Sequence, residues 1–353
     1  IIMAYFKIPN VTVKGMSACV PAAVEKIEDY PLFSEAEKAR MLPFFGLDKH
    51  HVASDSICAS DLCFAASERL IDNLQWEKDS IDLLVFVSPA PDYIFPTTAC
   101  ILHNRLGLKR ECAAFDIPFG CSGWVYGMTV VGNLLSSGSI KRAILLVGDT
   151  PTRAASKQDK SVYPFFGDAG TATAIEFEED AYGFRSELGT IEKDWDKIIL
   201  PAGGFRNPIT EDSLIPIEEG PGITRTKFDT HMDGMDVFSL STTQDPISVN
   251  SLLEKSGINI DDVDCFGFHQ TNAFLMNRVC KRLKLNQEKV PYSLKEFANT
   301  SGASIPLTLV TERAKRLKNE KMRIAACALG VGLSYGAIYF ETDNIVVPQL
   351  VEL

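Results

Sequence analysis

The chain has 353 residues, 46% of them apolar, and a formal net charge of −11; that is enough to bury one large core or two fused ones. Its 35 Lys and Arg are scattered rather than striped, which excludes a nucleic-acid surface, because phosphate binding needs clustered cations. The nine cysteines include no C-x-x-C pair, so neither a disulfide framework nor a metal site is expected.

In chain order, Ile1 to Lys7 reads as a first strand. It lacks the basic start and long apolar stretch of a signal peptide. No later apolar run approaches the roughly 20 residues that span a bilayer, so no membrane partner is expected and the location reads as cytoplasmic. Ile81 to Val87 is a buried strand flanked by Asp82. Another runs from Ala113 into a turn marked by Pro118 and Gly120, and beyond it Trp124, Met128, Val131 and Leu135 recur at helical spacing. Cys121 therefore sits at or just before a helix N-terminus, where unpaired N–H groups and the macrodipole favour an anion. A free thiol titrates near 8.5, and a fall to about 7 raises the thiolate share roughly fifteen-fold. The expectation is an ionised nucleophile; the competing reading is a small residue at a tight strand-to-helix joint.

Lys141 to Gly148 is a further buried strand, and Gly167-Asp168-Ala169-Gly170 turns into one that ends at Phe177. The polar turn Glu178-Glu179-Asp180 marks a seam. Gly203 to Gly234, rich in Gly, Pro and charge, reads as an insertion over the surface of the kind that shapes binding sites. The strand Val263 to Phe268 delivers His269 and the polar Gln270-Thr271-Asn272 to its carboxyl end, where ligand and catalytic groups gather in α/β sheets. A purely structural His is the alternative. His50 and His51 read as charged loop, and His103 and His231 stand in no polar motif. Asn299 precedes a second helical pattern and serves equally as a cap. Met322 to Gly330 is a buried strand followed by the Gly-rich turn Gly330 to Gly336. Such a turn can aim backbone N–H groups at an oxyanion, and it lacks the Gly-Lys-Ser/Thr of a nucleotide-binding loop.

Four segments match between the halves in the same order. Ile81–Val87 pairs with Val263–Phe268, Cys121-Ser122-Gly123 with Thr300-Ser301-Gly302, Lys141–Gly148 with Met322–Gly330, and Gly167–Phe177 with Gly330–Phe340. A duplication, 1–180 and 181–353, follows from that order. Strands alternating with helices imply two α/β units fused through a shared helical layer.

Taken together, Phe95-Pro96-Thr97-Thr98-Ala99-Cys100, Ala114 to Gly123, Phe166 to Gly170, His269 to Asn272, Asn299 to Ser304 and Gly330 to Gly336 resemble ketoacyl-(acyl carrier protein) synthase III. The resemblance implies the thiolase fold, a five-layer αβαβα sandwich of two duplicated halves. It implies that Cys121 takes an acyl group from a thioester on coenzyme A or an acyl carrier protein. The N–H groups of Cys121 and Val331 would form the oxyanion hole, with His269 and Asn299 holding a malonyl thioester for decarboxylative condensation, without metal or organic cofactor. By the same likeness Phe95 meets the acyl pocket of a second copy in a homodimer. Arg153, Asn272, Lys281 and Arg282 are candidates for binding coenzyme A or docking the carrier. Arg40 and Phe44 stand approximately where the family carries Arg and Trp for the adenine, Phe274 replaces an Arg that meets the carrier phosphate, and Ala298 replaces a Gly. Acyl transfer to an alcohol or amine and a non-catalytic partner subunit remain alternatives. Thiolase itself is disfavoured, since Gly330 to Gly336 contains no second cysteine.

Overall fold

A computed structural model describes residues 3–353. The first strand runs Ala4–Ile8; Ile1 and Ile2 of the expected strand lie outside the described residues. Two sheets form the frame. One has the order Val351–Glu352, Val11–Val20, Ala169–Phe177, Arg142–Asp149, Leu83–Val87, Ala113–Ile117, and the other Ala4–Ile8, Phe184–Thr190, Ser334–Asp343, Lys321–Gly330, Cys265–Phe268. Arg142–Asp149 pairs parallel with Leu83–Val87 and antiparallel with Ala169–Phe177, which is antiparallel to Val11–Val20. Its counterpart Lys321–Gly330 pairs parallel with Cys265–Phe268 and antiparallel with Ser334–Asp343, which is antiparallel to Phe184–Thr190. The same pairing pattern thus occurs in both halves. The chain ends cross over: Ala4–Ile8 edges the second sheet, and Val351–Glu352 the first.

Strands buried on both faces must be apolar at every position rather than alternately. In Arg142–Asp149 the side chains of Ala143, Leu145 and Val147 enter the central core, while Ile144 and Leu146 enter the outer one. Between the sheets lie the helices Gly123–Leu135 and Ser304–Glu312. Trp124, Met128, Val131 and Leu135 are fully buried there, each burial worth on the order of 1.5–3 kcal/mol. Outside the first sheet pack Ala59–Leu74 and Thr98–Leu106, and outside the second Gly234–Ser256, which carries Ala273–Leu283 on it. The result is five layers.

One loop expectation is corrected. Lys49–His51 is a short strand paired with Val24–Lys26. Its His50 and His51 are buried, with Nδ1 atoms on the carbonyls of Phe166 and Pro21, because β pairing satisfies the backbone and lets the rings turn inward. The insertion lies over the surface as expected, nearly all of it exposed or half-buried. Its hairpin, Ile217–Gly220 with Ile223–Arg225, is tied down by Lys160 N–H to the Gly222 carbonyl at 2.9 Å and Thr224 N–H to the Gln158 carbonyl at 3.0 Å. It roofs a cavity.

Candidate active site

Cys121 sits inside a tight turn closed by Gly123 N–H on the Gly120 carbonyl at 2.7 Å, and the helix Gly123–Leu135 begins two residues on. Two close approaches hold it. A Cβ added at Gly330 would lie 2.4 Å from the Cβ of Cys121, and one at Gly302 would lie 2.7 Å from the Gly120 carbonyl oxygen. Only glycine lets the strand ending at 330 and the loop from the second half close on the nucleophile so tightly.

His269 leaves the end of its strand with N–H on the Cys327 carbonyl at 3.0 Å. Its Nδ1 is 2.7 Å from Ser304 Oγ, which also accepts Gln270 N–H at 3.3 Å. Asn299 is pinned through its backbone to Phe165 and Gly167 at 3.0 Å each. Its Oδ1 accepts Ser301 N–H at 2.9 Å, closing a local turn one residue ahead of the N-cap position, which is Thr300; Nδ2 makes no hydrogen bond among the described residues. Ala298 explains the glycine at that place in the resembling family. It adopts φ 52°, ψ −152°, a region that glycine alone populates freely.

The thiol corrects the sequence expectation. Burial pushes Cys121 up to about 11, the Asp149 charge adds to the rise, and the Ser301 hydroxyl and the N–H groups of Cys121 and Val331 pull the other way. Desolvation is the largest of these influences, with Cys121 only 9% exposed. Asp149 is itself pushed up to about 6 by burial. Burial takes His269 down to about 4, with the Ser301 backbone pulling modestly the other way, so the imidazole is neutral near pH 7.

Cys121, Asp149, His269, Asn299, Ser301 and Val331 line one cavity of about 1210 Å³. Ser301 Oγ lies 4.0 Å from the Cys121 sulfur. Asn272 lines the cavity as well, with its Oδ1 capping Leu275 N–H at 2.8 Å. The other binding candidates lie elsewhere. Arg153 donates to the Ile57 carbonyl at 2.9 Å. Arg282 donates to the Thr242 carbonyl, which Pro246 cannot bond because proline has no N–H. Lys281 is exposed on the same helix, off the cavity. At the mouth, Phe44 and Phe238 stack on either side of Phe274 at 4.4 and 5.3 Å; Arg40 is exposed and outside the lining. Phe95 is 79% exposed, beside Tyr93 and Ile94 at 63% and 71%.

Sequence reasoning missed Ser301, Ser304 and Asp149. Asp149 had a legible signal, an acid ending an otherwise apolar strand. The serines had none, since only the fold brings them to the sulfur and the imidazole. Among the described residues no helix is long and apolar enough to cross a membrane, and no cluster of three His, Cys, Asp or Glu could hold a metal ion.

Residues 115–190 match the family model described as 3-oxoacyl-[acyl-carrier-protein (ACP)] synthase III, and 253–342 that of its C-terminal part. A putative 3-oxoacyl-[acyl-carrier-protein] synthase 3 of Campylobacter jejuni is 34% identical over 349 residues, 95% of this chain and 96% of that protein. A beta-ketoacyl-[acyl-carrier-protein] synthase III of Fusobacterium nucleatum is 30% identical, over 93% of this chain and 97% of its own. The crystal structure of a 3-oxoacyl-(acyl-carrier protein) synthase from Burkholderia xenovorans superimposes with a TM-score of 0.92 at 32% identity, covering 99% of both chains. The chain belongs to the 3-oxoacyl-(acyl-carrier-protein) synthase III family. Its fold is the thiolase fold of those enzymes.

Proposed function

We propose that this chain is a condensing acyltransferase that loads an acyl group onto Cys121 and joins it to a malonyl thioester with loss of carbon dioxide. The observation that carries the reading is the common cavity, which Cys121, the neutral imidazole of His269 and Asn299 all line.

In the first half-reaction the thioester carbonyl lies over Cys121, its oxygen taken by the N–H groups of Cys121 and Val331. One such donor is worth about 2.7–4 kcal/mol in the transition state. The neutral thiol loses its proton as the carbon–sulfur bond forms, and the departing carrier thiol regains one. In the second, His269 and Asn299 bind the malonyl thioester carbonyl. Ser304 Oγ, which takes Gln270 N–H on one lone pair, holds the ring through Nδ1, and the clamp uses the tautomer in which the serine hydroxyl donates to Nδ1 and the imidazole proton stands on Nε2. Nε2–H and the Asn299 amide then donate to the enolate oxygen as carbon dioxide leaves, and the carbanion attacks the acyl-enzyme carbonyl, breaking its bond to sulfur and expelling Cys121 as thiolate, which regains a proton. This pair favours condensation over transfer to an alcohol or amine, which has less need of an enolate clamp.

The partners are an acyl thioester and a malonyl thioester. The stacked phenylalanines at the mouth offer apolar contact to the donor's carrier arm, and of the basic pair suggested for carrier docking Lys281 alone is uncommitted. The exposed run Tyr93-Ile94-Phe95 supports a homodimer, in which the family likeness sets Phe95 of one copy at the acyl site of the other. Intact-mass measurement after exposure to acyl thioesters is expected to show one adduct, lost in Cys121→Ala. A persistent adduct in that variant would sink the assignment.

A further inference from the structure

The two ends of the cavity differ in chemistry. Around Cys121 the walls are glycine-tight and carry the groups described above. Another part of the wall, built from the roofing hairpin and the loop beneath it, carries polar groups among apolar ones: Ser161, Glu219, Arg225, Thr230 and His231 line the same space as Ile223 and Met232. Arg225 is the informative member. Its side chain is 10% exposed, and its Nε lies 3.1 Å from Glu219 Oε2 and 3.4 Å from Asp159 Oδ2. Neither approach is aligned as a hydrogen bond, and both Nε and Asp159 Oδ2 are buried without a partner. Asp159 Oδ1, by contrast, is satisfied by Ser161 N–H at 2.8 Å and its hydroxyl at 2.5 Å. His231 bridges the same cluster, with Nε2 3.1 Å from the Thr226 carbonyl and Nδ1 3.8 Å from Glu219 Oε1.

A guanidinium that is nine-tenths buried, with two carboxylates beside Nε but no aligned hydrogen bond there, falls short of its bonding capacity unless something completes it. A wall meant for a plain alkyl chain would be cheaper as hydrocarbon. One guanidinium against the carboxylates of Asp159 and Glu219 also leaves this end net negative when His231 is neutral, which disfavours an acyl group ending in a carboxylate. A hydroxyl fits, since it accepts from the Arg225 fork and donates to Glu219. We propose that Arg225 and Glu219, backed by Asp159, form a specificity site for an acyl donor that carries a hydroxyl group on its chain. The inference rests on the acyl-transfer reading and names the substrate class of that site.

The test is competitive acylation of Cys121 by matched synthetic thioesters, alkyl and hydroxyalkyl, with the hydroxyl placed at successive carbons and with carboxyl- and amino-ended analogues alongside. Adducts are resolved by intact mass. At the best position the hydroxyacyl donor is expected to lead its alkyl match by at least about 10-fold in kcat/KM. That ratio should collapse towards unity in Arg225→Met and fall in Arg225→Lys and Glu219→Gln, which serve if the first variant does not fold. A merely structural tie between hairpin and body would lower the melting temperature and leave the ratio alone. An unchanged ratio, an alkyl preference in the parent, or a winning carboxyl- or amino-ended analogue overturns the proposal. A complete lack of adducts from every thioester would sink the acyl-transfer reading, and this site with it.

Discussion

The floor of the cavity and its roof are built in opposite ways. The floor joins two sheet ends and two helix starts, with Gly330 and Gly302 pressed against Cys121 and Gly120 at distances that admit no side chain. The roof is a short hairpin held by a few backbone bonds and the Arg225 cluster, with Phe205, Met235 and Ile217 left exposed nearby. Close packing leaves no freedom to move a group by half an ångström, which is what acyl transfer and enolate stabilisation require. A loosely attached roof can change without disturbing that geometry, so selectivity is most readily varied there.

The contrast breaks first, and hardest, if floor residues prove dispensable. His269→Ala and Asn299→Ala are each expected to slow malonyl decarboxylation by about 100- to 1000-fold, measured by carbon dioxide release. An unaltered rate would remove the enolate role. Gly330→Ala pushes a methyl into Cys121 and is expected to cut acylation at least about 100-fold while the fold survives, read by adduct formation against near-UV circular dichroism. Rim changes should be milder. Phe44→Ala removes one ring of the stack at the mouth, and a rise of about 2- to 10-fold in donor KM is expected.

Asp149 sharpens the electrostatic side. Its carboxylate is ionised above about 6 and opposes the thiolate of Cys121, so Asp149→Asn should shift the thiol's titration towards acid and speed its alkylation several-fold at pH 8. Below pH 5, where Asp149 already holds its proton, the two proteins should react alike. An iodoacetamide rate profile decides it. The smallest effect concerns Ala298, whose φ and ψ cost about 1–3 kcal/mol. Ala298→Gly releases that strain against glycine's entropic cost of about 0.5–1 kcal/mol. A net gain near 1 kcal/mol is expected in denaturant unfolding.

Much of this was legible in the residues. The run Ala143 to Val147, apolar at every place, announces a strand buried on both faces, and Trp124, Met128, Val131 and Leu135 announce one helical stripe. Both signals are local periodicities, which is why they survive without the fold. The resemblance picked out Cys121, His269 and Asn299, and the structure brings them to one cavity. It did not reveal that His50 and His51 are buried strand residues, because two adjacent imidazoles beside Lys49 look the same in a loop and in a pleat. Nor could it distribute Arg282, whose partner is a carbonyl 40 residues away left free by Pro246.

By itself the sequence determined the alternation of strands and helices, the duplication and the chemistry available, since these follow from side-chain type and spacing along the chain. Only the tertiary structure decided the burial of Cys121, the Ser304 partner of His269 and the destination of Arg225. Each depends on which groups are desolvated together, and that is set by contacts between segments as distant as residues 121 and 301, or 159 and 225. Helix position alone favours a thiolate; enclosure by the second half reverses the sign.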